Sequence, residues 1–326
     1  MNEIKRIGVL TSGGDAPGMN AAIRAVVRTG IYNKLQVTGI SCGYEGLIKG
    51  HFQPMSNCSV ANIIQRGGTI LKTARSEFFR TEEGLQIASD NIKNSGMDAL
   101  VVIGGDGTFR GAIALSAKCS IPIIGIPGTI DNDLYGTDFT IGYDTAINTV
   151  IDVVDKIRDT AASHNRLFFI EVMGRDAGFI ALRSGIAGGA EDILVPETAT
   201  LMEDLIARLE NDRRENKASG IIIVAEGDDQ GGAFEVARKV REKFDFYETR
   251  VCIVGHMQRG GSPTCMDRVL ASSLGYEAVI ALLEGKKGIM VGQVNNRVSH
   301  VPFEKATKHH QHMNMEMLKM AHVLSS

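Results

Sequence analysis

The sequence predicts an α/β protein built as two doubly wound, three-layer α/β/α domains. Short Val- and Ile-rich runs alternate with amphipathic helical patterns from end to end of the 326 residues, which is typical of doubly wound parallel sheets. Several of these runs end in polar, glycine-rich turns, where open α/β folds place their ligands. The length and the hydrophobic fraction of 44% suit two medium domains with filled cores.

Composition excludes some classes of partner. The 35 Lys and Arg residues against 38 Asp and Glu leave a net charge of −3, which gives no general attraction to nucleic acid or to anionic membranes. The first apolar run is too short for a signal segment or a membrane span. The five cysteines form no CxxC pair. We therefore expect reduced thiols in a soluble, cytoplasmic protein.

The first strand–turn–helix unit has a strand at 7–10, a glycine turn at 11–18 and a helix from Met19 to about Thr29. Backbone N–H groups in such a turn can bind phosphate, although an ordinary βα turn remains the alternative. Arg24 and Arg28 lie four apart and share a helix face. That face is either an anion site or a solvated basic surface.

The next strand, at 36–41, ends in a glycine turn that contains Tyr44, whose ring could stack on a ligand base or anchor the loop. Arg75 and Arg80 follow near further glycines. Guanidinium groups suit an oxyanion clamp, but single arginines are more commonly surface charges. A helix is predicted at 82–95.

Two neighbouring strands carry the strongest signal. The run 98–103 leads into Gly104-Gly105-Asp106-Gly107-Thr108 and a helix from about Phe109, and the run 121–126 leads into Pro127-Gly128-Thr129-Ile130-Asp131-Asn132-Asp133. Glycines beside a carboxylate at a strand end favour a bound polyphosphate with its magnesium ion. The two loops should meet at one edge of the sheet.

The second half repeats the pattern. Helices are predicted at 144–162, 201–216 and 267–284, and strands at 167–172, 220–225 and 248–254. The first two strands end at Met173-Gly174-Arg175 and at Glu226-Gly227. His256 and Arg259 follow the third strand, with Arg250 upstream, and these three side chains suit a small phosphate clamp.

Together these motifs, in this order and approximate spacing over nearly the whole chain, resemble the bacterial ATP-dependent 6-phosphofructokinase family. The resemblance implies a homotetramer of two-domain subunits with the active site in the cleft between the domains. It implies a larger ATP-binding domain at 1–142 plus 255–310, and a smaller sugar-phosphate-binding domain at 143–254 plus 311–326. The substrates would be ATP and fructose 6-phosphate, with Mg²⁺ as the cofactor, and ADP or phosphoenolpyruvate as possible effectors.

The resemblance also implies residue roles. Asp131 would be the general base, and Gly14, Arg75, Thr129 and Arg175 would assist the transfer. The nucleotide contacts would be Gly14, Tyr44, Arg75, Ser76, Arg80, Gly105, Asp106, Gly107 and Thr108, and the metal ligands Asp106 and Asp133. The sugar-phosphate contacts would be Thr129, Asp131, Arg166, Met173, Gly174, Arg175, Glu226, Arg250, His256 and Arg259, with Arg166 and Arg250 reaching a neighbouring subunit. The effector contacts would be Arg24, Arg28, Arg158, Gly189, Glu191 and Lys217.

Two features refine this expectation. Pyrophosphate-dependent relatives commonly carry Asp and Lys where this chain has Gly107 and Gly128, so ATP is the expected donor. The effector pocket departs from the family pattern at Asn57, Asn62, Glu215 and Ser219, so allosteric control by phosphoenolpyruvate is expected to be blunted or differently tuned. Lys72, where the family often has glycine, has no assigned role. The competing interpretations are a pyrophosphate-dependent enzyme, a kinase of the lipid or NAD type, and a catalytically silent nucleotide-binding subunit.

Overall fold

The strands form two separate sheets, and the central strands of each are buried apolar runs. The computed structural model describes residues 4–161, 163, 166–215, 217, 219–308 and 311–325. The strands are β1 (Arg6–Thr11), β2 (Gln36–Ile40), β3 (Phe52–Met55), β4 (Ala99–Gly104), β5 (Ile123–Pro127), β6 (Arg166–Val172), β7 (Asp192–Leu194), β8 (Gly220–Ala225), β9 (Glu248–Ile253), β10 (Ile289–Val294) and β11 (Arg297–Pro302).

Amphipathic segments form helices between these strands. They are α1 (Met19–Tyr32), α2 (Gly43–Lys49), α3 (Glu82–Ser95), α4 (Asp106–Ser116), α5 (Tyr143–Ala161), α6 (Phe179–Gly188), α7 (Met202–Arg214), α8 (Gly232–Lys243), α9 (Cys265–Leu283), α10 (Phe303–Lys308) and α11 (Met315–Ser325), with short 3₁₀ helices at Phe78–Arg80 and Gly255–Arg259. None of the described helices is long and apolar enough to cross a membrane.

The chain divides into two compact α/β units, as the sequence predicts for the fold class. The first unit comprises Met1–Ile130, Leu134–Thr145 and Arg259–Gln311, and the second comprises Asp131–Asp133, Ala146–Gln258 and His312–Ser326. We call these the first unit and the second unit.

The first unit contains a seven-stranded sheet in the order β11-β10-β5-β4-β1-β2-β3. Its five central strands are parallel, and β3 and β11 pair antiparallel at the two edges. Every residue of β4 is buried, as expected for a central parallel strand covered on both faces. The carboxyl ends of β1, β4 and β5 therefore lie side by side.

The second unit contains a four-stranded, all-parallel sheet in the order β7-β8-β6-β9. Its core includes Leu167 and Phe169 of β6, Ile222 and Val224 of β8, and the apolar face of α8. The four loops that follow these strands consequently leave the sheet at one edge.

Two helix N-termini in the first unit cap each other. Asp267, in the first turn of α9, accepts hydrogen bonds from the N–H groups of Gly142 and Thr145 (both 2.8 Å) at the start of α5. In return, the Thr264 hydroxyl donates to the Asp144 carboxylate (2.6 Å). Buried donors at both helix ends are thereby satisfied.

Sequence patterns located most elements but missed several. Helix α3 and strand β8 have the predicted bounds, whereas β3, β7, β10, β11, α6, α8 and α10 were not predicted. The glycine turn predicted around Tyr44 is the helix α2, whose two cap residues, Cys42 and Gly50, have left-handed backbones. The helix was not predicted because Gly43 and Gly46, which lie within it, are typical of turns.

Candidate active site

The loops after β1, β4 and β5 meet at the carboxyl edge of the first unit's sheet. The Ser12 N–H donates to Ile103 O (3.0 Å), and the Gly128 N–H donates to Gly104 O (3.0 Å). The Thr108 hydroxyl donates to Ser12 O (3.2 Å). The glycine turn, the GGDGT loop and the start of the 127–133 segment are therefore in direct contact, as the strand order requires.

Close backbone approach explains the glycines at this edge. A Cβ atom at Gly104 would lie 2.2 Å from Thr108 Oγ1 and 2.5 Å from Ser12 O. Gly128 is also tightly packed, since its Cβ would lie 3.1 Å from the side chain of Ile103 and 3.2 Å from that of Met19. A Cβ at Gly107, in contrast, would meet no described atom within 4 Å. The surface over Gly107 is therefore open to a ligand.

Gly14 lies in the loop before α1, against a guanidinium group. A Cβ atom at Gly14 would lie 2.6 Å from Arg259 Nη1, and Nη1 donates to Asp15 O (3.2 Å). The sequence associated Arg259 with the sugar phosphate, whereas its described contacts are with the glycine turn of the first unit. The positive charge and the Gly14 backbone together suit an anion.

Asp106 occupies the first position of α4, after Gly105. Its carboxylate lies 3.3 Å from Arg110 Nη2 one turn later, and its position at a strand end keeps it partly exposed. The Thr129 side chain packs next to Gly105: a Cβ atom at Gly105 would lie 3.5 Å from the Thr129 Cβ. An accessible carboxylate beside a helix N-terminus has the hard-oxygen chemistry that Mg²⁺ requires.

Tyr44 is a packed residue of α2. Its ring stacks on Phe79 with centroids 4.1 Å apart, and its hydroxyl donates to Thr108 O (2.5 Å). Burial raises the pKa of the phenol. The sequence left open whether the Tyr44 ring stacks on a ligand base or anchors its loop. These contacts agree with the anchoring role, because the hydrogen bond connects α2 to the first turn of α4. Phe79, which the sequence did not single out, completes the contact.

The arginine segment before α3 is exposed. Arg75 and Lys72 lie on the surface, and Arg80 pairs with Glu77 (3.2 Å) across a short 3₁₀ helix. The Ser76 hydroxyl accepts from the Phe79 N–H (3.2 Å). Lys72 has a left-handed backbone (φ 58°) and its carbonyl accepts from the Thr11 hydroxyl (3.0 Å). Arg80 thus belongs to a surface ion pair with Glu77.

In the second unit, Asp131 is buried and faces Arg175. The Asp131 Oδ2 atom lies 3.5 Å from Arg175 Nε, and the carboxylate side chain is 3% exposed. Arg175 has a left-handed backbone (φ 53°), and so does Asn132 (φ 53°). Non-glycine residues in that region are uncommon, and they cluster at functional sites where the surroundings impose the conformation.

Side chains from two other loops hold the turn that carries Arg175. The Met173 N–H donates to Gln258 Oε1 (3.0 Å). The N–H groups of Gly174 and Arg175 both donate to Glu226 Oε1, at 3.3 and 2.7 Å. Three successive N–H groups are therefore fixed by side-chain acceptors. Gln258 was not predicted as a site residue; its position beside Arg259 in the glycine-rich loop was the available signal.

Arg166 and Arg250 lie away from the turn at 173–175 and from Glu226. Arg166 begins β6 and Arg250 lies near the start of β9, so both belong to the amino half of the sheet, whereas the Met173 turn and Glu226 follow carboxyl ends. Both arginines pair with Glu248, Arg166 at 2.8 Å. A seven-residue strand spans about 20 Å, so the two arginines and the Met173 turn lie at opposite ends of the second sheet.

His256, also predicted as a contact, is exposed in the 3₁₀ helix after β9.

The predicted effector residues fall in both units. Arg24 and Arg28 lie on α1 of the first unit, and burial together with the Arg28 charge lowers the pKa of Arg24. In the second unit, Arg158 Nη2 donates to Gly188 O (2.6 Å) and Gly189 O (2.7 Å). Its Nη1 atom lies 3.8 Å from Glu191, and burial raises the pKa of Glu191.

Lys217 is already neutralised. It pairs with Asp212 (2.8 Å) and donates to Ser325 O (2.9 Å) at the end of α11. The pairing with Asp212 raises the pKa of Lys217. Asp212, which forms this pair, was not predicted from the sequence.

Taken with the fold, these loops define a class: open α/β proteins that bind phosphate-bearing ligands at the carboxyl edge of a parallel sheet. The sequence profile of the family described as Phosphofructokinase matches residues 6–282. The chain is 54% identical over 325 residues to ATP-dependent 6-phosphofructokinase 2 of Bacteroides thetaiotaomicron, covering 100% of both chains. It is 54% identical to ATP-dependent 6-phosphofructokinase 1 of Thermus thermophilus, covering 99% of this chain and 100% of that protein.

A solved structure supports the same relationship. The fold matches that of Pichia pastoris phosphofructokinase in the T-state with a TM-score of 0.89 and 35% identity, over 94% of this chain and 38% of that chain. The present chain therefore spans less than half of that longer protein. The chain belongs to the phosphofructokinase family.

Proposed function

We propose that this chain is an ATP-dependent 6-phosphofructokinase, which catalyses the glycolytic transfer of the γ-phosphoryl group of ATP to the C1 hydroxyl of fructose 6-phosphate. The products are fructose 1,6-bisphosphate and ADP. The observation that carries the proposal is full-length identity of 54% to bacterial relatives so named. The acids that the reaction needs, Asp106, Asp131 and Asp133, are all present, which argues against a catalytically silent subunit.

Two glycines favour ATP over pyrophosphate as the donor. The open surface over Gly107 leaves room for the α-phosphate of a nucleotide, which a carboxylate at this position would repel. Gly128 is packed against Ile103 and Met19, so a lysine there could not be accommodated without rearrangement. The two positions that distinguish the donors in the family thus both suit ATP.

We assign the proton transfer to Asp131. As the C1 oxygen attacks the γ-phosphorus, its proton passes to the Asp131 carboxylate, and the bond to the β–γ bridging oxygen breaks as ADP leaves. The Gly14 N–H, the Thr129 hydroxyl, Arg75 and Arg175 would stabilise negative charge on the transferring group. Arg175, at 3.5 Å from Asp131, also fixes the orientation of the base.

We assign Mg²⁺ to Asp106 and Asp133. Mg²⁺ is commonly bound through one or two carboxylates together with substrate phosphates and water, and in this proposal the two residues would supply the carboxylates. Among the described residues there is no cluster of three or more His, Cys, Asp or Glu side chains that could hold a metal ion. When bound, the ion would neutralise charge on the nucleotide phosphates.

Ligand contacts divide between the units in this proposal. The nucleotide would contact the first unit through Gly14, Tyr44, Arg75, Ser76, Arg80 and Gly105–Thr108, although Tyr44 contributes by packing and Arg80 would have to leave Glu77. The sugar phosphate would contact Met173, Gly174, Arg175, Glu226, His256 and Arg259, although the described contacts of Arg259 are with Gly14 and Asp15. The predicted division at 142/143 and 254/255 lies a few residues from the unit boundaries at 145/146 and 258/259.

We also propose a homotetramer in which Arg166 and Arg250 reach the sugar phosphate of a neighbouring subunit. Their position at the amino half of the second sheet, away from the Met173 turn, supports a role outside their own subunit's site. A cytoplasmic location is proposed as well; all five cysteines are free thiols, which agrees with a reducing compartment.

Effector control is proposed to be weak. Lys217 is paired with Asp212 and Ser325 O, and Arg158 with two carbonyls and Glu191, so an anion must compete with contacts within the protein. Glu215 and Ser219 further reduce the positive charge. Velocity measured against fructose 6-phosphate, with and without millimolar ADP or phosphoenolpyruvate, should change little. A strong shift to sigmoidal kinetics would contradict this.

The donor assignment is tested by a coupled spectrophotometric assay with Mg²⁺ and fructose 6-phosphate, comparing ATP with pyrophosphate. We expect turnover with ATP, and a loss of about 100-fold in kcat/KM for ATP in Gly107→Asp, because like charges repel. The neutral variant Gly107→Asn controls for side-chain volume. Turnover with pyrophosphate alone would overturn the proposal.

A further inference from the structure

Thr200, in the segment between β7 and α7, makes three hydrogen bonds to the loop after β8. Its hydroxyl donates to Asp228 Oδ2 (2.7 Å), its N–H donates to Asp229 Oδ1 (3.3 Å), and its carbonyl accepts from Gln230 Nε2 (3.0 Å). All the polar groups of Thr200 are thus used by one loop. We call Thr200, Asp228 and Gln230 the Thr200 latch.

The latch also closes on itself. Asp228 Oδ1 accepts from the Gln230 N–H (3.0 Å), and Lys239 of α8 donates to the carbonyl and the Oε1 atom of Gln230 (both 3.0 Å). Asp228 is 5% exposed, and burial raises its pKa. A buried carboxylate with these partners is costly to displace, so the loop has one strongly preferred position.

The loop after β8 contacts both the N–H and the carbonyl of Arg175. Glu226 Oε1 accepts from the Arg175 N–H (2.7 Å). The Gly227 backbone lies so close to the Arg175 carbonyl that a Cβ at Gly227 would be 2.0 Å from the Arg175 oxygen. Arg175 has the left-handed conformation, which an arginine adopts only when its surroundings impose it.

We infer that the Thr200 latch is a positioning device for the proposed reaction, which sets Glu226 for the sugar hydroxyls and holds Arg175 against Asp131. The inference rests on the proposed function for its kinetic part. Asp228 and Thr200 contact neither ligand themselves; they act through the 226–231 loop. Their loss should therefore affect the sugar phosphate and leave the nucleotide contacts of the first unit unchanged.

The latch is tested with Thr200→Val and Asp228→Ala in the full-length protein. Valine keeps the volume of threonine but removes the donor to Asp228. We expect KM for fructose 6-phosphate to rise about tenfold and kcat to fall about tenfold in Asp228→Ala, with about half that effect, on a logarithmic scale, in Thr200→Val. KM for ATP should stay within about twofold. Asp228→Asn retains the acceptor for Gln230 N–H and should recover most of the activity.

Thr198→Val is the matched control, because the Thr198 side chain lies in the same segment and takes no part in the latch. Hydrogen exchange of the 173–176 amides provides a readout independent of catalysis. These amides should exchange about tenfold faster in Thr200→Val and Asp228→Ala than in the unaltered protein or in Thr198→Val.

The outcomes separate the two claims. Exchange and KM for fructose 6-phosphate that match the Thr198→Val control would overturn the latch. Equal losses for ATP and fructose 6-phosphate would also overturn it, since they would indicate general destabilisation. An unaltered protein without turnover would contradict the proposed function, while the exchange rates would still decide whether the latch holds the turn.

Discussion

The first unit and the second unit hold their ligand-binding loops in place differently. At the edge of the first sheet the loops are in close contact: a side chain at Gly104 would collide with Thr108 and with the Ser12 carbonyl, and one at Gly128 would be crowded by Ile103 and Met19. At the edge of the second sheet Gly227 also lies close to the Arg175 carbonyl, but side-chain acceptors hold the turn: Gln258 and Glu226 accept from the N–H groups of Met173, Gly174 and Arg175. The first site should fail through steric clash, and the second through loss of positioning.

The largest effect is expected at Asp131, in the second unit. Asp131→Asn removes the proton acceptor, so kcat should fall by about 10²–10⁴ or more while KM for fructose 6-phosphate changes little. Steady-state kinetics with saturating ATP measure this. Asp176→Asn, at a nearby exposed carboxylate, is the control and should retain normal turnover. Near-normal turnover in Asp131→Asn would remove this residue from the base role.

A steric failure is expected at Gly104. Gly104→Ala places a methyl group 2.2 Å from Thr108 Oγ1 and 2.5 Å from Ser12 O, which should destabilise the protein by about 3 kcal/mol. Gly107→Ala is the matched comparison, since its methyl group meets open space, and its stability should be unchanged or higher by up to about 1 kcal/mol. Urea unfolding of both variants measures the difference. Equal stabilities would show that the backbone contact is not constraining.

Asp267 tests the fold that supports the first edge. Asp267→Asn turns an amide N–H₂ towards the donors of Gly142 and Thr145, and should cost about 2 kcal/mol at neutral pH. Burial raises the pKa of Asp267 in the folded protein, so the folded state binds its proton more tightly than the unfolded state. The stability of the unaltered protein relative to Asp267→Asn should therefore fall as the pH rises from about 4 to 7.

Unfolding free energies measured across that pH range check the sign. A difference that grows with rising pH would mean that the hydrogen bonds from Gly142 and Thr145 to the carboxylate outweigh its burial.

A smaller effect is expected at Glu226. Glu226→Gln keeps an oxygen for the Arg175 N–H but loses the charge that binds sugar hydroxyls, so KM for fructose 6-phosphate should rise about tenfold. KM for ATP should be unaffected. Kinetics with each substrate varied in turn distinguish these results, and an equal rise in both KM values would remove the separation between the units.

Local sequence patterns predicted the parts of the molecule that depend on local chemistry. The GGDGT loop and the segment from Pro127 to Asp133 are recognisable because glycine, proline and acids follow buried β-branched runs. The antiparallel pair β10–β11 was missed because Gly292 interrupts one strand and β11 is largely polar, as an edge strand can be. Their pairing is decided by tertiary contacts.

The side-chain acceptors of the second unit could not be predicted from local patterns. Gln258 accepts a hydrogen bond from the N–H of Met173, which lies 85 residues away in the sequence, and Thr200 donates to Asp228, which lies 28 residues away. Tyr44 shows the same limitation, because its packing on Phe79 depends on a helix that glycine-rich sequence concealed. Hydrogen bonds between residues so far apart in the sequence depend on how the strands are arranged in the sheet, so local patterns do not predict them.

The division of labour between the units is the central claim, and calorimetric titration tests it most directly. Fructose 6-phosphate and a non-hydrolysable ATP analogue with Mg²⁺ would each be titrated into Gly107→Asp and Glu226→Gln. We predict that Gly107→Asp loses at least about tenfold in nucleotide affinity and keeps its affinity for fructose 6-phosphate, and that Glu226→Gln shows the reverse. Either substitution weakening both ligands equally would contradict the account.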